Sequence, residues 1–135
     1  MPDLFRAIIE AESAAEVVGV GLEGHLEIEA NLFEVAVPAV GVILGAMSGS
    51  LSPFARSQLQ IMLWRLVYGE SHGTEVAVGR ARLGDECRLR AREGIWIVLQ
   101  EGLAGDGEMM VDILEAIDLD DARLSYYKNI IDDRR

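Results

Sequence analysis

Leu32-Phe33-Glu34-Val35-Ala36-Val37-Pro38-Ala39-Val40-Gly41-Val42-Ile43-Leu44-Gly45-Ala46-Met47 is the most apolar stretch of the chain, and its only charge is Glu34. A short bridge, Ser48-Gly49-Ser50-Leu51-Ser52-Pro53, leads into Ala55 to Tyr68, where Leu59, Met62, Leu63, Leu66 and Val67 recur at the 3, 1, 3, 1 spacing of one helix face. Leu32 to Tyr68 therefore predicts two packed helices. Pro38 predicts a kink in the first, because its ring removes one backbone donor and crowds the preceding turn. Gly69 is expected to close the second in the left-handed conformation.

Upstream, Pro2 suits a first helical turn, and Leu4, Phe5, Ile8 and Ile9 form an apolar stripe. Ser13 and Glu16 have the spacing of a capping box, which predicts a second short helix. Gly19-Val20-Gly21-Leu22-Glu23-Gly24 matches the glycine pattern of dinucleotide sites. Glu10, Glu12 and Glu16 interrupt the buried strand that such a site needs, and Glu27 and Glu29 would repel the phosphates, so no cofactor is expected. His25, Glu27 and Glu29 would share a face only on a strand. Continuation into Ala30-Asn31-Leu32-Phe33 favours a helix with a solvated acidic face, and no metal is expected.

Downstream, Glu70 to Gly79 reads as a loop and Arg80 to Glu101 as one helix, with Leu83, Cys87, Ala91, Ile95, Val98 and Leu99 on its inner face. Cys87 is thus a core residue rather than a nucleophile paired with His72. Arg80, Arg82, Arg88, Arg90 and Arg92 interleave with Asp85, Glu86 and Glu93, a pattern that predicts ion pairs to neighbouring carboxylates. Arg88 and Arg92 are expected to hold Glu70 or Glu75. Met109, Met110, Ile113, Leu114 and Ile117 stripe a further helix, and Asp120 is placed to cap a last one over Ala122 to Ile131. Asp118 to Asp121 resembles a calcium loop only in part, since its sixth position is Arg123 where glycine is needed.

The 135 residues suit one domain, and the formal charge of −11 argues against binding nucleic acid or an anionic membrane. Acids gather at both ends: residues 1–45 carry eight acids and one base, and 101–135 carry ten acids and four bases. The run from Val35 to Gln60, charge-free but for Arg56, contains serines, glycines and two prolines, and its apolar core falls short of the roughly 20 residues of a membrane span. No export signal is read at Met1-Pro2-Asp3, and a single cysteine excludes an internal disulfide. A cytoplasmic protein is expected.

Val35-Ala36-Val37-Pro38-Ala39-Val40 with Ile43-Leu44, followed by Phe54-Ala55-Arg56 and Leu59, Leu63 and Leu66, resembles the bent and straight helices of a HEAT repeat. Ile95 to Ile117 resembles a second, degenerate pair with Asp106 in its turn. The linker departs from the family, offering Ser48, Ser50 and Ser52 where an aspartate is usual. The resemblance implies an all-α fold, a short stack of antiparallel helix pairs in a HEAT-like or armadillo-like superhelix. Small acidic proteins of this kind resemble the immunity proteins that accompany bacterial polymorphic toxins. It follows from the resemblance that the chain is a protein-binding module rather than an enzyme, and that it blocks the active-site cleft of a cognate, basic, nuclease-like toxin. The partner-binding residues would be Glu23, Glu27, Glu29 and Glu34, with Glu70 and Glu75 at the adjoining edge. The alternative is a scaffold or regulatory adaptor, homodimeric through exposed parts of the apolar run.

Overall fold

The computed structural model describes residues 27–28, 31–105 and 107–133. Seven helices carry nearly all of the regular structure among them: α1 Ala36–Met47, α2 Pro53–Tyr68, α3 Gly73–Ala77, α4 Leu83–Arg92, α5 Ile95–Ala104, α6 Gly107–Ile117 and α7 Asp121–Asp133. Three two-residue strands, β1 Glu27–Ile28, β2 Asn31–Leu32 and β3 Glu70–Ser71, make a small clasp. β1 pairs antiparallel with β2, and β2 runs parallel to β3 with Asn31 opposite Glu70 and Leu32 opposite Ser71. The fold is all-α in class, and no described helix is long and apolar enough to cross a membrane.

The central helices form as their periodicity dictates. Leu59, Leu63, Leu66 and Val67 of α2 are fully buried, and they meet Val40 and Ile43 of α1, Cys87 and Ala91 of α4, and Met110, Ile113 and Leu114 of α6 in one core. Each such aliphatic side chain contributes roughly 1.5–3 kcal/mol by leaving water, enough to override weak local propensities. Ser52 starts α2 by accepting a hydrogen bond from the Ala55 amide at 3.1 Å, with Pro53 in the first turn where its missing N–H costs nothing. α1 packs more extensively on α4 than on α2, and α5 packs closely on α6.

Several expectations need correction. The first helix begins at Ala36 rather than Leu32, because the Leu32 carbonyl accepts from the His72 amide at 2.7 Å and holds that residue in the clasp. Glu27 and Ile28, expected in a helix, are strand. Pro38 lies in the first turn of α1, where its amide would have no helical partner, so it does not interrupt the helix. Gly69 is extended, with φ −82° and ψ 168°, because the chain leaves α2 directly into β3 instead of turning back. Glu70 to Gly79, read as a loop, contains β3 and α3. The helix predicted over Arg80 to Glu101 is two helices broken at Glu93 and Gly94. At Gly94 a side chain would collide with Leu44, its Cβ falling 2.6 Å from Leu44 Cδ1. The predictions made for residues 1–26 and for Asp106 lie outside the described residues.

Where α4, α6 and α7 converge, Arg92 Nε donates to the Ile117 carbonyl at 2.5 Å. Next to it the side chain of Asp118, fully shielded from solvent, accepts from both Nε and Nη2 of Arg123 and from the Asp120 amide. Asp120 caps α7, accepting from the Arg123 amide at 3.0 Å as expected. The Arg123 hydrogen bond holds the Asp118 carboxyl below its ordinary value of 3.8. A group whose pKa falls on folding adds stability above its unfolded value and loses it as the pH drops through the folded one. Asp118→Asn should therefore flatten the acid-side decline in stability below about pH 4, as read from urea midpoints at about pH 3 and pH 6. An unchanged slope would refute this.

Candidate functional site

The parallel β2–β3 pairing brings the residue after Phe33 next to the start of α3, although they are about forty positions apart in the chain. Glu34, Glu70 and Glu75 thereby gather at one edge. Glu34 donates its amide to Glu75 Oε1 at 3.1 Å, and Arg80 Nε reaches Glu75 Oε2 at 2.5 Å. Arg80 also lies 3.7 Å from the Glu34 carboxylate. Arg88 bridges Asp85 at 2.7 Å and Glu70 at 3.4 Å, and it donates to the Val67 carbonyl at 3.0 Å.

These carboxylates do different work. Glu75 is buried, and its pKa is lowered first by the hydrogen bond from Arg80 and then by the Glu34 amide. It is an internal strut between α3, the clasp and Arg80. Glu34 and Glu70 each leave 68% of the side chain in solvent, and Asp85 leaves 71%. The edge therefore presents three exposed carboxylates, Glu34 on backbone held by Glu75, Glu70 in the clasp and Asp85 in the first turn of α4. Four carboxylates meet the guanidinium groups of Arg80 and Arg88 there, and Arg82 acts on Asp85 as a third positive charge. Phe33 stacks on His72 with ring centroids 4.8 Å apart, and His72 Nδ1 accepts from the Thr74 amide at 3.2 Å, which starts α3.

Of the six residues singled out from the sequence, the structure brings together Glu34, Glu70 and Glu75. Glu27 is in β1, antiparallel to β2 and opposite Leu32. Glu23 and Glu29 lie outside the described residues. The Arg88–Glu70 pair forms as expected. Arg92 instead serves the Ile117 carbonyl, and Glu75 takes Arg80. Sequence reading missed Asp85 as part of this edge, although its i, i+3 spacing from Arg88 was a usable signal. The Arg80–Glu75 pair had no such signal, because α3 ends between the two residues.

Cys87 is buried and its thiol is pushed up to about 12 by burial, which leaves it protonated and unreactive. No group of three or more His, Cys, Asp or Glu among the described residues is arranged to hold a metal ion. The chain matches no known family model, no characterised protein and no solved structure.

Proposed function

We propose that this chain is a protein-binding module, a short HEAT-like stack of helices of the immunity-protein kind that neutralises a basic toxin domain by covering its active-site cleft. The observation that carries the reading is the edge at Glu34, Glu70 and Asp85, where exposed carboxylates stand on a braced backbone. Carboxylates held this way can substitute for the phosphates of a nucleic acid in a cationic cleft, and the net charge of −11 speeds encounter with such a target. Glu75 acts indirectly by fixing the Glu34 amide. On this reading a cytoplasmic location and the absence of any catalytic role go together.

The test is capture from the native cell with a tagged chain. A basic toxin domain should be retained by the wild type and lost with the double variant Glu34→Lys and Glu70→Lys, whose far-ultraviolet circular dichroism stays that of the parent. Two charge reversals facing cationic groups are expected to weaken binding by at least about a hundredfold. A partner held equally well by the variant would remove this edge from the interface. Retention of a regulator or a biosynthetic enzyme in place of a toxin would favour the adaptor reading.

A further inference from the structure

We infer that the face where α4, α5 and α7 meet the link between α6 and α7 is the docking surface for a second copy of this chain, giving a two-fold dimer. Trp96 in the first turn of α5 and Tyr126 in α7 are each 63% exposed, and Leu119 in the link is 77% exposed. They belong to one surface. The ring of the buried Tyr127 lies 5.9 Å from that of Trp96 and 6.0 Å from that of Tyr126. Arg123, one turn before Tyr127, holds the carboxylate of Asp118, the neighbour of Leu119. Arg92 donates to the Ile117 carbonyl, which brings the end of α4 to the same link, with Leu89 one turn earlier and 57% exposed.

Area and charge together select the occupant. At the usual size of such side chains these four leave roughly 500 Å² of apolar surface in water, while a stable interface takes about 800 Å² from each partner with a little over half of it apolar. The apolar centre of one side is thus already built, and from the aromatic residues that anchor interfaces. Its arginines are fixed beforehand by the Ile117 carbonyl and Asp118, so they lose little freedom on docking. The surface carries both signs, Arg92 and Arg123 with the exposed Asp120 and Asp121 that open α7, which lets the arginines of one copy answer the aspartates of the other across a two-fold axis. A cationic partner would meet two guanidinium groups here, whereas the carboxylates of Glu34, Glu70 and Asp85 would repel their own kind, so the two surfaces take different occupants. Asp85 and Arg92 stand at opposite ends of α4, about 10 Å apart along its axis, and docking at the second leaves the carboxylate edge of each copy open.

In sedimentation equilibrium the chain should weigh as a dimer with a dissociation constant in the micromolar range. Trp96→Ala and Leu119→Asp, both at exposed positions, should each weaken it at least about thirtyfold while keeping the parent's far-ultraviolet circular dichroism. Val42→Ser, in the exposed part of α1, and the double variant Glu34→Lys with Glu70→Lys should leave it within about threefold. In the Trp64→Phe variant Trp96 is the sole indole, and its emission should move to shorter wavelength as the chain is concentrated through that range, because the ring leaves water. A chain that stays monomeric up to millimolar concentration, or a dimer that Trp96→Ala and Leu119→Asp leave intact, would overturn the inference. So would a monomer that retains a different protein through Trp96. Mass reads the dimer and capture reads the edge, so the two readings fail separately: a dimer whose partner capture is indifferent to Glu34 and Glu70 sinks the edge alone.

Discussion

Gly84→Val is expected to destabilise the protein by about 3 kcal/mol and to lower its melting temperature by about 10 °C. Gly84 is in the first turn of α4, where that helix meets the chain leaving α2. A Cβ at this position would overlap the Gly69 carbonyl oxygen and sit 2.9 Å from Glu70 Oε2. The obstacle is mainly backbone, which has no rotamer to change, so α4 would have to move away from α2. That shift would draw Leu83, Cys87 and Ala91 out of the core and displace Glu70 at the candidate edge. Gly41 in α1 is the internal comparison, since beyond the adjoining backbone of its own helix no described atom lies within 4 Å of where its Cβ would be. Gly41→Ala should stabilise by up to about 1 kcal/mol, because alanine forfeits less chain entropy in a helix. Thermal melts of both variants decide the matter, and loss of the opposite signs would show that Gly84 is not a close-approach site.

Glu101→Ala is the second large effect, expected at about 3 kcal/mol. Glu101 is buried in α5, where it accepts from Gln60 Nε2 at 2.7 Å and from Arg56 Nη1. Arg56 also donates to the Gly49 carbonyl at 3.0 Å and to the Met47 carbonyl at 3.3 Å, so one guanidinium joins the α1–α2 bridge to α5. Truncating Glu101 would leave the buried Gln60 amide without its acceptor and Arg56 without its counter-charge. Removing one partner of a buried set costs far more than the set contributes net. Glu101→Gln keeps an acceptor and should recover about half of the loss. The measurement is the urea midpoint at constant m-value. A change under about 1 kcal/mol would mean that solvent reaching the partly exposed Arg56 already satisfies the network.

The core was legible wherever the pattern was local. Leu59, Met62, Leu63, Leu66 and Val67 announced the inner face of α2, and Leu83, Cys87, Ala91, Ile95 and Val98 are buried as their spacing required. Asp120 was recognised as a cap because capping is a relation between near neighbours. Pro38 misled because a proline is harmless or disruptive according to where its helix begins, and that start was set by the distant His72 amide on Leu32. The break at Gly94 was hidden because the apolar spacing continues across it, and the close approach of Leu44 from another helix to Gly94 is a contact between distant segments.

The candidate site divides along the same line. Residue type and charge singled out Glu34, Glu70 and Glu75, and could not tell an exposed carboxylate from a buried one. Only the packing made Glu75 a strut and left Glu34 and Glu70 in water. By itself the sequence determined that this protein is helical, where its core faces lie and that it is acidic, because periodicity and charge are properties of neighbouring residues. The tertiary structure alone decided where helices start and break, which carboxylates are free and which surfaces are concave, because those depend on contacts between segments far apart in the chain.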